Sequence, residues 1–276
     1  MQPGRLGCRL EATANVRQGS GVHRTGGLAV RLGRHPGQYI EAMVSSRLPA
    51  GLGWPTLCVV CRRRSLRRVC APCVAAYAPA PPPPVTATPA ERGARTGERP
   101  LSALVAAVPF EFPWAGLVHA MKYGDRPELS QALAPLMVDA LRGAIDPRQV
   151  DCLVPVPLAE ARARQRGYNA PRELARHAAG DLGLRVADDW LLRCRDTPSQ
   201  ARLTREARLQ NLAGAFVVPS RATGQVRGRT VVLVDDVVTT GATLEAAAHA
   251  LRSAGAASVI GWVLARTPAP NASHAA

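Results

Sequence analysis

Val231–Thr243 reads VVLVDDVVTTGAT. Val231-Val232-Leu233-Val234 is an apolar run without alternation, the pattern of a strand covered on both faces. It leads directly into Asp235 and Asp236. Val237 and Val238 follow, then five small or hydroxyl-bearing residues, Thr239-Thr240-Gly241-Ala242-Thr243. Leu244–Ser253 has helical spacing. The stretch predicts a strand, a turn and a helix, with its polar groups at the strand's carboxyl end, where open α/β sheets bind ligands.

Each part of the turn has a physical use. Two adjacent carboxylates are acceptor-only groups and suit two vicinal hydroxyls, such as the 2′- and 3′-OH of a ribose. The Thr239–Thr243 loop carries no bulk. Its N–H groups lie at a helix N-terminus and can wrap a phosphate, with three threonine hydroxyls as further donors. A diol beside a phosphate describes a ribose 5-phosphate. Helix capping by threonine accounts for one residue of this run, not for all of it. A Walker loop is excluded, because no GxxxxGK[ST] occurs and the only lysine is Lys122. A GxGxxG dinucleotide fingerprint is absent too.

Charge is unevenly distributed. The 276 residues carry a formal net charge of +15. Residues 1–100 hold 15 Arg against 4 acids, and residues 101–276 hold 20 basic side chains against 16 acids. The basic excess of the first part makes nucleic acid a candidate partner. Composition weakens that argument, since 34 of the 35 basic residues are Arg and a GC-rich genome produces such a bias by itself. No apolar run reaches the roughly 18 residues of a membrane helix. The first twenty residues lack the apolar core of a secretory signal. The expectation is a cytoplasmic protein whose seven cysteines stay reduced.

Four of those cysteines form C-x₂-C-x₈-C-x₂-C: Cys58, Cys61, Cys70 and Cys73. Two CxxC pairs supply four sulfurs for tetrahedral Zn²⁺. The short spacer predicts a small knuckle pair rather than a full ribbon. Arg62, Arg63, Arg64, Arg67 and Arg68 lie inside it. They either offset the charge of about −2 on a four-thiolate zinc site or meet a phosphate backbone. Cys8, Cys152 and Cys194 stand alone and read as ordinary cysteines.

Around these landmarks the chain divides into five parts. Residues 1–50 show no periodicity and read as a disordered extension; Met43 is an alternative start. Residues 51–77 are the finger. Residues 78–100, with their proline run, read as an extended linker. Residues 101–266 are the main α/β domain, and 267–276 a tail. Within the domain, Leu101–Phe112 reads as a strand or hairpin. Trp114–Lys122 reads as a helix with Trp114, Leu117, Val118 and Met121 on one face, closed by Gly124 as a C′ cap. Lys122 there either meets a phosphate or complements the helix dipole. Pro127–Leu141 is a second helix and Val150–Val154 a short strand. Arg162, Arg164 and Arg166, at two-residue steps beside Gly167, make an anion-binding rim or a solvated charged turn. Asn169 and Pro171 read as the start of a helix over 171–180. Leu184–Leu192, Phe216–Val218 and Ala257–Leu264 read as strands. Arg195–Gly214 is long and polar.

The thirteen-residue stretch resembles the PRPP-binding signature of type I phosphoribosyltransferases. Three further stretches narrow the resemblance to the ComF family, associated with competence and DNA uptake in bacteria. The cysteine finger precedes the domain, as in that family. Val154-Pro155-Val156-Pro157-Leu158 and Arg164-x-Arg166-Gly167-Tyr168-Asn169 are similar to its V-P-V-P-L and R-x-R-G-[FY]-N motifs, although Ala170 stands where Gln is usual. Thr197, Gln200, Leu203, Arg208, Asn211, Gly214, Ala215 and Phe216 fit the motif of its mobile flap.

The resemblance implies the type I phosphoribosyltransferase fold, an α/β domain with a central, mostly parallel sheet. It implies PRPP as ligand, Mg²⁺ as its escort, and a nitrogen acceptor base that displaces pyrophosphate from C1 of the ribose. Asp235 and Asp236 would then hold the diol and Thr239, Thr240, Gly241, Ala242 and Thr243 the 5-phosphate. Arg162, Arg164 and Arg166 would meet the pyrophosphate, Lys122 a phosphate or the pyrophosphate, and Arg208 would be the cationic side chain of the flap. A homodimer, a PRPP sensor without turnover and a nucleic-acid-binding accessory of DNA uptake remain open.

Overall fold

The computed structural model describes residues 55–78, 85 and 86, 100–194 and 214–268. The extension 1–50, most of the linker, the flap motif from Thr197 to Asn211 including Arg208, and most of the tail lie outside the described residues. Pro55–Ala276 forms one compact unit.

The sheet is built on the apolar runs. Strand β9 (Thr230–Val238) pairs in parallel with β10 (Ser258–Arg266) on one side and β5 (Cys152–Pro155) on the other. Beyond β10 lies β4 (Ala103–Pro109), and beyond β5 lies β6 (Arg185–Val186), both parallel. The order is β3-β4-β10-β9-β5-β6. Five parallel strands are thus edged by an antiparallel one, β3 (Val85–Thr86), which falls inside the stretch read as a linker. Leu101–Phe112 becomes one strand, β4, not a hairpin. Its register beside β10, Val105 to Trp262, buries it on both faces.

Helices cover both faces of the sheet. On one, α2 (Trp114–Tyr123), α3 (Leu129–Ala144) and α5 (Ala170–Leu182) pack on Val232 and Val234 of β9 and on Trp262 of β10. Trp262 Nε1–H donates to the Met137 carbonyl at 3.0 Å, so this fully buried side chain keeps its polar atom satisfied. On the other face, α6 (Ser220–Val226) and α7 (Ala242–Ser253) pack on Val231 and Leu233. The alternation of β9 between two cores is why its sequence shows no alternation in polarity. Among the described residues no helix is long and apolar enough to cross a membrane.

Three local expectations are corrected. Leu184–Leu192 is not one strand: Asp188 and Asp189 turn the chain, β6 joins the main sheet, and β7 (Leu192–Arg193) pairs antiparallel with β8 (Phe216–Val217) instead. The arginine stretch after β5 is a helix, α4 (Glu160–Arg166), rather than a loop. Gly124 closes α2 without a left-handed turn. Its backbone passes so near Ala120 that a Cβ would lie 2.9 Å from the Ala120 carbonyl oxygen, and the positive φ of 49° falls on Asp125.

The cysteine segment folds as a short antiparallel pair, β1 (Thr56–Leu57) with β2 (Arg64–Ser65), followed by α1 (Ala71–Tyr77), with Pro72 in its first turn. It is not held apart. Cys58, Val69, Cys70 and Cys73 belong to the same apolar cluster as Trp114, Met121 and Leu133. Trp114 Nε1–H donates to the Tyr77 carbonyl at 2.6 Å, and Arg67 reaches Asp139 of α3 at 3.5 Å.

Candidate ligand site and cysteine centre

The crossing from β9 to α7 is three residues long, Thr239-Thr240-Gly241. Gly241 sits at the N-cap with φ of 82°, a left-handed conformation that costs a residue with a Cβ about 1–2 kcal/mol. Among the described residues the Gly241 N-cap gives α7 no side-chain cap, which leaves the N–H groups of Thr243 and Leu244 for a ligand or water. Ala242 N–H donates to Thr240 Oγ1 at 3.5 Å. The helix begins two residues earlier than its apolar spacing indicates, which puts Ala242 and Thr243 in that first turn. Asp235, Val237 and the run from Val238 to Leu244 line an open pocket at the carboxyl end of β9.

The two acids separate. β9 continues through Val238, and neighbouring side chains of a strand leave on opposite faces. Asp235 lines the pocket, and its Oδ1 accepts the Asp236 N–H at 2.8 Å. Desolvation, then the Asp236 charge beside it, raise the Asp235 carboxyl to about 7, against the pull of Lys122 and Arg193. Asp236 turns to the other face, is 6 % exposed, and meets Lys122 Nζ at 2.7 Å. Lys122 therefore stands on a carboxylate, a contact between residues far apart in sequence that neither of its sequence readings contained.

The three arginines are divided by the helix that carries them. Arg164 is exposed and pairs with Glu160 one turn earlier. Arg162 and Arg166, four residues apart, share the other face, and Arg166 lies over the Tyr123 ring at 4.5 Å. Gly167, with φ of 72°, ends α4 and turns the chain into α5. Asn169 stands at the N-cap of α5 but its side chain does not cap it: Nδ2–H donates to the Val156 carbonyl at 3.1 Å. Among the described residues, the buried Asn169 Oδ1 and Tyr168 Oη have no hydrogen-bond partner. Burial is the first cause of the raised Tyr168 hydroxyl, with Arg166 opposing and the acids Asp125, Glu128 and Asp236 adding to it. Sequence reasoning missed Arg193. Its place at the end of β7, stacked over Phe216 at 5.4 Å, brings its charge to bear on Asp235. Only the β7–β8 pairing puts it there.

At the finger, the sulfurs of Cys58, Cys61, Cys70 and Cys73 all lie within 4.8 Å of one another. A tetrahedral ion with Zn–S bonds of about 2.3 Å sets its sulfurs roughly 3.8 Å apart, and Cys61 Sγ to Cys70 Sγ is 3.6 Å. The set fits a metal ion. Desolvation opposes the Cys58 thiolate, but the N–H groups of Cys70, Cys61 and Val60 bring its thiol down to about 6. Burial pushes the Cys73 thiol up and Cys70 is raised as well, so of these three Cys58 alone favours the thiolate that ligates. Arg62, Arg63, Arg64 and Arg68 are exposed, and none is in an ion pair among the described residues.

A parallel sheet covered on both faces, with a bare helix N-terminus and an acid at its carboxyl edge and a four-cysteine segment before it, defines a type I phosphoribosyltransferase domain with an N-terminal finger. Residues 173–274 match the family described as phosphoribosyl transferase domain. The chain is 34 % identical over 224 residues to the DNA utilization protein YhgH of Salmonella typhimurium, covering 80 % of this chain and 95 % of that one. It is 32 % identical over 226 residues to YhgH of Escherichia coli K12, with the same coverage. Competence protein F of Haemophilus influenzae is 32 % identical over 157 residues, 56 % of this chain and 68 % of that one. The chain belongs to the ComF family of phosphoribosyltransferase-like proteins.

Proposed function

We propose that the protein binds PRPP at the β9–α7 turn, in the cytoplasm, and transfers its phosphoribosyl group to a nitrogen acceptor. The supporting observation is the pocket shared by Asp235 and the uncapped first turn of α7. Thr239, Thr240, Gly241, Ala242 and Thr243 take the 5-phosphate through backbone N–H and hydroxyl donors. Asp235 accepts from the ribose hydroxyls, while Asp236, on the other face of β9, is held by Lys122. Arg162 and Arg166, on one face of α4, offset the pyrophosphate. In the reaction the bond from C1 to pyrophosphate breaks and a bond from C1 to the acceptor nitrogen forms. The enzyme's work is to hold the departing charge and orient the acceptor. Mg²⁺ fits this donor set as a passenger on phosphate oxygens and water, since it needs no protein cage. The four cysteines hold Zn²⁺ as a structural ion. Calorimetry with PRPP and Mg²⁺ tests the binding, and pyrophosphate release with a panel of nucleobases tests the transfer. Binding without release under every acceptor makes the protein a PRPP sensor, and no binding ends the reading.

A second role rests on the exposed arginines of the finger and on relatives named for DNA utilization and competence. Arg62, Arg63, Arg64 and Arg68 would meet a nucleic-acid backbone. Replacing all four with Ala should then reduce DNA binding and flatten its salt dependence by about one unit of slope per lost contact. A salt slope equal to wild type would remove the finger from any DNA contact.

A further inference from the structure

Asp236 is one of two polar side chains buried among the described residues, the other being Ser130. The chain's only lysine reaches it at 2.7 Å, with side chains 18 % and 9 % exposed. Lys122 lies in the last turn of α2, and the first residue of α2, Trp114, is hydrogen-bonded to the end of the finger. Val118 and Met121 on the same helix are in the core that contains Cys58, Cys70 and Cys73. The helix that presents Lys122 is thus fastened at both ends, to the finger and to the sheet edge.

We propose that Lys122 is a positioning residue: it fixes Asp236 at the end of β9, so that the edge is held in shape for the ribose, and it makes no contact with the pyrophosphate. This rests on the phosphoribosyl reading and departs from the phosphate or pyrophosphate contact that the sequence suggests for Lys122. The physical reason is the cost of the alternative. A lysine that left for a phosphate would strand a buried carboxylate without its partner. Lys122 also acts on Asp235, whose carboxyl it pulls down against burial and the Asp236 charge. The other groups around the pair are Tyr168 between α4 and α5, with Arg166, Asp125 and Glu128 acting on it, and Arg193 of β7, which acts on Asp235.

The test compares the full-length wild type with Lys122→Met and Lys122→Arg. Each is titrated by calorimetry with PRPP and, separately, with ribose 5-phosphate. The ligand-free carboxyl groups of wild type and Lys122→Met are titrated by carbon NMR. Lys122→Met should weaken both ligands by the same factor, about tenfold or more, and Lys122→Arg should recover most of it. The Asp235 titration should move up by roughly one pH unit. Weakened PRPP with unchanged ribose 5-phosphate would put the lysine on the pyrophosphate and overturn the proposal, as would unchanged affinity for both. If wild type binds neither ligand, the phosphoribosyl reading fails, and the NMR titration decides the Lys122 assignment alone: an Asp235 midpoint that stays put overturns it. Should Lys122→Met not fold, Lys122→Gln makes the same comparison.

Discussion

The cysteine finger and the β9–α7 turn are both short segments dense in chemical groups, and the protein uses them in opposite ways. The finger turns three of its four cysteines inward. Cys58, Cys70 and Cys73 are buried and continuous with the packing around Trp114 and Leu133. The turn leaves its groups open. Thr239 is exposed, Thr240, Gly241 and Thr243 are half-buried, and the first N–H groups of α7 have no side-chain cap. A set of soft ligands seated against the core serves stability, whereas open donors around a pocket serve a ligand that comes and goes. The connection between the two regions is α2, which touches the finger at Trp114 and the site at Lys122.

That contrast is most exposed to metal removal. Chelation, or Cys58→Ser with Cys70→Ser, should destabilise the whole unit by at least about 3 kcal/mol, a fall in Tm of about 10 °C. The loss should appear as one shifted transition in circular dichroism, because finger and domain share a core. A finger that melts separately while the main transition stays in place would break the comparison.

A smaller effect belongs to Asp235. Its carboxyl is raised to about 7 in the folded chain, against about 3.9 in the unfolded one. Between those values the folded state holds the proton and the unfolded state does not. Stability from this group is therefore full below about pH 4 and declines as pH rises towards 7. Asp235→Asn should flatten that decline in urea unfolding measured across the window. PRPP affinity should change the other way, rising with pH in wild type as the acceptor-only carboxylate forms, and staying low and level in the variant. A wild-type affinity independent of pH would separate Asp235 from the ribose. The smallest effect is expected from Arg67→Ala. Its partner Asp139 is 3.5 Å away and both are well exposed, so stability should drop by no more than about 0.5 kcal/mol. A larger loss in thermal unfolding would mean that the finger's docking is electrostatic rather than apolar.

The sequence was most legible where the signal is local. The apolar run of β9, the small residues after it and the helical spacing beyond lie within one strand–turn–helix unit, and the structure reproduces them with the helix start moved to Ala242. The CxxC spacing likewise brings four sulfurs together. It was less legible where two readings share one pattern. Arginines at two-residue steps suit a loop rim, but Glu160 at the start and Gly167 at the end make them a helix that sends Arg164 away from Arg162 and Arg166. Asn169 has the composition of a cap, yet a nearby Val156 carbonyl takes its amide.

What the chain's order of residues determined by itself is the list of elements and the chemistry each can perform, because backbone preference and metal-ligand spacing act over a few neighbours. What tertiary structure decided is which groups meet. Adjacent acids on a strand face opposite ways, so Asp235 lines the pocket while Asp236 pairs with a lysine from another helix. The stretch after Leu184 was divided between two sheets by the partners available to it. The finger joined the core because α2 and α3 present an apolar surface where it lands. Each of these depends on contacts between residues distant in sequence, and such contacts are set only when the faces of the sheet are covered.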